Sequence, residues 1–560
     1  MGRVLSGSST TLARFQPLES AENVIREGLL VVIRDEPNRN ILGTITRIEA
    51  YHEFYEVGEV WSEAIRRGRR LPESVARKYV VAYVHLHGTI RNGTISTVSR
   101  PPRPGAEVLE ADSSILSAIY GFDPRNSNNV PENVVVLGNL YGYHEGPELL
   151  PAILRLDNIT MHLAILGVTG SGKSNTMGVL IEELGKKNGV LVGSLRMKTI
   201  PMVVFDANGD YLDYYRNPSI VPSYEVIRIV FPRASRSVEL ALGNAQCEEL
   251  KIDLNFYVET DNLSHLAELI YALARGGSLE GLELQLDLLT RVLRKALDEI
   301  RVCRTGYATH SGVDMNCVLA GEGFEHLIEL VKREKDSHAQ TIQAVIRTLN
   351  TFHEKIKRYG IVPEYAEEAT INSDFIDEIS DPNNPKLVIF DFSPDGAPGV
   401  ETRIKQFIVG YFLSLAFEKF VKYKIDRQNR VMLIAIEEAQ NYAPNQLVYP
   451  IGYSVARNIL ANVATQGRKF GLCLALITQR PSFVDPIIMS MMNTFIIHRI
   501  APGDLKFVQQ VTGGLPKHVG SRLTTLETGL AIVVGQMNAF PSPIMVKVRR
   551  RISHEAGSVS

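Results

Sequence analysis

Gly167, Gly170, Gly172, Lys173 and Ser174 have the spacing G-x-x-x-x-G-K-S within LGVTGSGKSNTMGVLIEEL, Leu166 to Leu184. That pattern suits a polyphosphate. Glycines let backbone amides close on phosphate without side-chain clash. Those amides and the following helix N-terminus favour an anion. The first expectation is therefore ATP or GTP. Lys173 is placed for the β- and γ-phosphates and the Ser174 hydroxyl for Mg²⁺. Thr169, Ser171 and Asn175 complete the expected ATP-binding stretch.

Such a loop needs acidic groups on a neighbouring strand. VMLIAIEEA supplies them, with six apolar residues, Val431 to Ile436, ending in Glu437 and Glu438. One carboxylate can organise the metal shell and the other can activate water. The reading assigns Glu437 to Mg²⁺ and Glu438 to the water. In GLCLALITQR, Thr478 or Gln479 ends the next strand where the γ-phosphate would be sensed. QGRKFG places Arg468 and Lys469 just before that strand. An arginine there can reach a neighbour's nucleotide as an arginine finger.

The elements that must position these groups are legible as pattern. Residues 1–150 read as short β-branched runs broken by Gly and Pro, which suggests a small β-barrel. Within them, EVWSEAIRRGRRLPESVARKY reads as a polar helical insert. Its cluster Arg66, Arg67, Arg69 and Arg70 reads as solvated. From Asn158, apolar strands alternate with helices, as in an α/β fold with a parallel sheet covered on both faces. A RecA-like core is expected over 151–262 and again over 376–540. Between its parts, 263–375 carries apolar residues at three- and four-residue spacing and reads as an inserted helical subdomain. VETRIKQFIVGYFLSLAFEKFVKYK reads as a long amphipathic helix. GLAIVVG reads as the last strand, and 541–560 as a basic tail. VGSLRMKTIP reads as a solvated loop.

The chain has 560 residues, with 60 Lys plus Arg against 62 Asp plus Glu. Near-neutral charge neither announces nor excludes nucleic acid, because a ring that grips DNA needs only a basic inner face. The four cysteines, Cys247, Cys303, Cys317 and Cys473, have no zinc spacing, and no disulfide framework is expected. The N-terminus lacks a signal-peptide core, and no apolar run reaches the ~18 residues of a membrane helix. A soluble cytoplasmic protein is expected.

MHLAILGVTGSGKSN, FDANGDY, IEEAQNYAP, GRKFG with ITQRPS, NTFIIHRI and ETGLAIVVG occur in one order. Together with the opening MGRVLSGSS they resemble the HerA family of DNA-translocating ATPases, in the HerA/FtsK branch of P-loop proteins. The resemblance spans nearly the whole chain. It implies a homohexameric ring that pumps double-stranded DNA and a partner nuclease of the NurA type in end resection. It also implies that Lys173, Glu438, Gln479 and Arg468 are the P-loop lysine, catalytic glutamate, sensor glutamine and trans arginine. Glu437 stands where the family usually has Asp. FDANGDY stands where it has D-P-H-G-E-Y. Met161 stands where an arginine often precedes the histidine that begins the P-loop strand, and Arg155 is a nearby substitute. A different reading is a HerA-like hexameric platform for an effector enzyme in anti-phage defence. A third, a secretion or conjugation ATPase, is weakened by the lack of membrane helices.

Overall fold

Strand alternation closes the first part of the chain on itself. The computed structural model describes residues 1–37, 39–52, 66–69, 78–91, 94–126, 130–145, 149–234, 245–276, 279–304, 312–448 and 454–553. Two units are distinguished, residues 1–155 with 515–549, and residues 156–514 with 550–560.

In the first unit, the strands are β1 (Gly2–Val4), β2 (Leu12–Pro17), β3 (Leu30–Glu36), β4 (Arg39–His52), β5 (Lys78–Arg91), β6 (Thr94–Ser96) and β7 (Glu107–Glu110). Their order is β2-β1-β7-β3-β4-β5-β6, and β2 also pairs with β5. Six strands thus form a closed barrel, which removes exposed edges. Ala13, Phe15, Val31 and Ile41 are buried in its core. The sequence suggested only short strands, yet β4 and β5 each run 14 residues, bent by register shifts. ENVVVLGNL becomes β8 (Val134–Leu140), outside the barrel and paired with β9 (Pro151–Arg155). Most of the polar insert lies outside the described residues, Arg70 included. Arg66, Arg67 and Arg69 are exposed.

The second unit holds β10 (Leu163–Leu166), β11 (Val190–Val192), β12 (Leu195–Met197), β13 (Met202–Asp206), β14 (Glu225–Val230), β15 (Ala245–Glu249), β16 (Lys386–Asp391), β17 (Met432–Ile436), β18 (Leu472–Thr478) and β19 (Thr494–Ile497). Eight of them follow one another in the order β15-β14-β16-β13-β17-β18-β10-β19. All of these pairs are parallel. Their apolar runs are buried, as a sheet covered on both faces requires. VGSLRMK forms the antiparallel hairpin β11–β12, not an open loop. Helices Leu263–Arg275, Glu283–Glu299 and Ala339–Tyr359 form the insert between β15 and β16. Helix Thr402–Ile425 is buried at every position from Gln406 to Ala416, so it is a core helix and not an amphipathic one.

β20 (Leu530–Gly535) and β21 (Ile544–Val548) pair with each other, and β21 pairs with β8. Both belong to the first unit, although the sequence pattern grouped GLAIVVG with the ATPase core. The tail is likewise divided, since 550–560 belongs to the second unit. One disulfide departs from expectation. Cys303 and Cys317 are joined and fully buried. The bridge Arg304↔Val313 and the bond from Asp314 N–H to Cys303 O fold the chain back there, an approach that spacing alone does not reveal.

Burial, aided by the nearby Asp314, pushes the Asp253 carboxyl up to about 7. A carboxyl raised above its unfolded value contributes stability that is present at low pH and lost as pH rises toward 7. Asp253→Asn can still accept from the Asn255 N–H, which lies 2.8 Å from Asp253 Oδ1. Relative to wild type, this variant should gain roughly 1–3 kcal/mol between pH 5 and pH 8. Urea unfolding at the two pH values measures it.

Candidate nucleotide site

Parallel strands carry their C-terminal ends to one edge, and the candidate residues collect there. β10 ends at Leu166, opposite Thr478 of β18. The chain then turns through Gly170 (φ 71°) and Gly172 (φ 116°), both left-handed, into helix Lys173–Gly185. Residues with a Cβ avoid that region, so the loop needs its glycines. Gly167 is buried, with its N–H donating to Thr478 O. Thr169 and Gly170 are exposed, and Ser174 is half-buried. Ser171 is buried and donates to Val168 O at 2.7 Å.

Lys173 Nζ donates to Val168 O at 3.1 Å, a contact that phosphate can replace. Burial lowers its pKa below the usual lysine range, opposed by the charges of Glu438, Glu437 and Asp210.

The acidic strand is not the immediate neighbour of β10. β18 lies between β10 and β17, so Thr478 and Gln479 sit between the P-loop and the glutamates. Gln479 bridges them. Its Oε1 accepts from the Thr169 hydroxyl at 2.7 Å, and its Nε2 donates to Glu438 Oε2 at 3.1 Å. Thr478, the alternative sensor, instead donates to Gln440 Oε1 at 2.7 Å. Glu438 has φ 49° and ψ 47°, a left-handed conformation costly for a residue with a side chain. This turn breaks strand alternation after β17 and lets the two consecutive glutamates engage different partners.

Glu437 faces the other partner set. Its oxygens accept from the Tyr211 hydroxyl at 2.7 Å and the Ala207 N–H at 3.3 Å. Burial, reinforced by Asp206, holds its carboxyl well above the usual range. Asp206 ends β13, whose Phe205 is in register with Ile436. Its two oxygens accept from four backbone N–H groups, those of Asn208, Gly209, Asp210 and Tyr211. Even so, burial pushes it up to about 6. Two buried carboxyls on adjacent strands resist ionising together. Asp206, Asp210 and Tyr211 were visible in the sequence as FDANGDY but had no assigned role there. An Asp closing an apolar strand, followed by a glycine turn, was the available signal.

Three further placements qualify the sequence reading. Asn175, expected at ATP, has its Oδ1 accepting from the Arg551 N–H at 3.0 Å. Arg155 donates to Ile119 O at 2.9 Å, within the first unit. Arg468 is exposed at the end of helix Ala456–Phe470, ahead of β18. The seven residues of β18 separate it from the P-loop edge, a distance of roughly 20 Å at strand rise. An arginine side chain cannot span that within one chain. Arg468 instead lines a polar cleft of about 280 Å³ with Lys424, Lys469 and Thr160. His162, buried at the foot of β10, has its pKa lowered to about 4 by burial, with the Arg468 charge contributing. Thr176 on the P-loop helix is hydrogen-bonded to buried His498 at 2.7 Å, a pair the sequence did not suggest.

A phosphate cradle between a parallel strand and a helix, with paired glutamates and a polar bridging strand, defines a RecA-like P-loop ATPase. The family description "Helicase HerA, central domain" matches residues 135–416. The chain belongs to the HerA helicase family.

Curated relatives include the DNA double-strand break repair helicase HerA of Sulfurisphaera tokodaii, 24% identical over 99% of this chain and 93% of that protein. The protein of the same name from Pyrococcus furiosus is 25% identical over 86% of this chain and 79% of its own length. The probable helicase MJECL08 of Methanocaldococcus jannaschii is 28% identical over 70% of this chain, which spans 66% of that protein. Among solved structures, VirB4 of Thermoanaerobacter pseudethanolicus is 15% identical, covering 74% of this chain and 96% of its own, with a TM-score of 0.46.

Glu438→Gln keeps an acceptor for the Gln479 contact but removes the carboxylate assigned to take the proton of the water. The variant should bind ATP as wild type does and turn it over about 10²- to 10⁴-fold more slowly. Steady-state ATPase rates beside equilibrium binding of the same preparation check this. An unchanged rate would shift the base to Glu437.

Proposed function

We propose that the chain is an ATP-driven translocase that works as a homo-oligomeric ring, a hexamer, and moves double-stranded DNA through it. The position of Arg468 carries the ring. It lies at the sheet edge opposite its own P-loop, so a role at ATP requires a second copy. The cleft it shares with Lys424 and Lys469 supplies positive charge for a neighbour's phosphates. Relatives named as DNA double-strand break repair helicases support duplex DNA as the cargo. The family resemblance supports a NurA-type nuclease as the partner that receives the DNA for end resection in recombinational repair.

In this reading Lys173 leaves the Val168 carbonyl for the β- and γ-phosphates. Water attacks the γ-phosphorus, the bond to the bridging oxygen of ADP breaks, and Glu438 takes the proton of the water. Gln479, tied to both Thr169 and Glu438, registers whether the γ-phosphate is present. The neighbour's Arg468 stabilises charge developing on the transferred group. Hard oxygen donors, a hydroxyl and carboxylates, suit Mg²⁺. Ser174 and Glu437 would hold it, and when bound it neutralises phosphate charge. Among the described residues no cluster of three His, Cys, Asp or Glu could hold a metal ion.

Neither Arg468→Ala nor Lys173→Ala subunits should hydrolyse ATP alone. Mixed rings should recover part of the activity, because an interface between unlike subunits can pair an intact Lys173 with an intact Arg468. Titration of one variant into the other, with mixing verified by native mass spectrometry, measures the recovery. No recovery in verified mixed rings rejects the trans role.

Duplex DNA should stimulate the ATPase with little sequence preference, since phosphate contacts carry no base information. Neutralising ~6 phosphates should weaken binding on the order of a thousandfold between 50 and 200 mM salt. ATP turnover measured against duplex length and salt tests this. A flat response from an active ring would reject the translocase in favour of an effector platform.

A further inference from the structure

The basic C-terminal tail is built into the nucleotide site. Arg551 is only 4% exposed. Its backbone N–H donates to Asn175 Oδ1 at 3.0 Å, on the first turn of the P-loop helix. Its Nη1 donates to Asp210 O at 2.5 Å, in the loop that Asp206 organises. Its stem crosses Gly178 so closely that a Cβ there would lie 2.7 Å from Arg551 Cδ. Further along the same helix, fully buried Glu182 accepts from the Ile552 N–H at 2.7 Å and the Ser553 N–H at 3.3 Å. Tyr214, in the helix after the Asp210 loop, adds a parallel tie by donating to Gly178 O at 3.0 Å.

The tail therefore fastens together two segments that carry residues of the candidate site. One carries Lys173, Ser174 and Asn175. The other carries Asp210 and Tyr211, the latter bonded to Glu437. Packing of a tail alone is a poor reason to bury a guanidinium whose Nε lacks a hydrogen-bond partner among the described residues. The contacts make sense as a brace that fixes the spacing of the two segments.

We propose that Arg551 is a positioning residue for nucleotide binding, holding the P-loop helix and the Asp210 loop in the geometry that accepts the triphosphate. The proposal rests on the reading of the P-loop as an ATP site. It carries a reciprocal consequence. If docking of the tail favours nucleotide, nucleotide must favour docking of the tail by the same factor. A purely structural tail has no such coupling.

The test uses the full chain with Mg²⁺ and the non-hydrolysable analogue AMPPNP. Arg551→Ala should raise the Kd for AMPPNP about tenfold. Arg551→Lys, which retains a donor for the Asp210 carbonyl, should recover part of the loss. AMPPNP should slow hydrogen exchange at the amides of residues 551–553 in wild type. If Arg551→Ala does not fold, Glu182→Gln serves, because it weakens the acceptor of the tail amides while keeping its shape; a few-fold rise in Kd is expected. Equal affinity in wild type and the folded variants, or unaltered exchange at 551–553 on binding, overturns the proposal. Wild type that binds no AMPPNP overturns the nucleotide reading itself, and this inference with it.

Discussion

The carboxylate of Asp206 is the fixed point of the candidate site. Four consecutive backbone N–H groups converge on two buried oxygens. Hydrogen bonds to an ionised acceptor are among the stronger ones, and here they determine the path of the loop after β13. That path aims Tyr211 at Glu437 and offers the Asp210 carbonyl to Arg551. Without the clamp, Glu437 would lose the aimed Tyr211 hydroxyl and the Arg551 side chain its Asp210 carbonyl. Burial raises the Asp206 carboxyl while its backbone N–H donors lower it, so the clamp and its desolvation act in opposite directions.

A second constraint comes from strand direction. Because β13, β17, β18 and β10 are parallel, the P-loop, Asp206, Glu437, Glu438 and Gln479 all emerge at one edge. For the same reason the residues that precede β18, Arg468 among them, lie at the other. Parallel geometry thus divides the polar residues into two sets within each chain. The strand order adds a further effect. β18 intervenes between the P-loop strand and the glutamate strand, so Gln479 can touch both Thr169 and Glu438. A P-loop strand lying directly beside the glutamate strand would leave no position for that bridge.

Much of this was legible in the sequence. The glycine spacing, the apolar run ending in two glutamates and the helical periodicity of the insert each have a local physical cause. A barrel was also legible from β-branched runs, although the length of β4 and β5 was not. Their turns are decided by cross-strand pairing. Helix Thr402–Ile425 misled the periodicity argument because its middle, Gln406 to Ala416, is covered all round, which spreads apolar residues around its circumference.

The residues by themselves determined that a phosphate-binding turn exists, that carboxylates follow a buried strand, and that the chain alternates strands with helices. These depend on contacts between near neighbours in sequence, and near neighbours leave patterns. Tertiary structure alone decided which groups meet. It set β18 between β10 and β17, separated Arg468 from its own P-loop, closed Cys303 on Cys317, placed β20 and β21 with the first unit, and brought Arg551 to Asn175 across 376 positions. Such pairings depend on how whole sheets and helices pack, and the energy of that packing is spread over many apolar residues that carry no local mark of their partners.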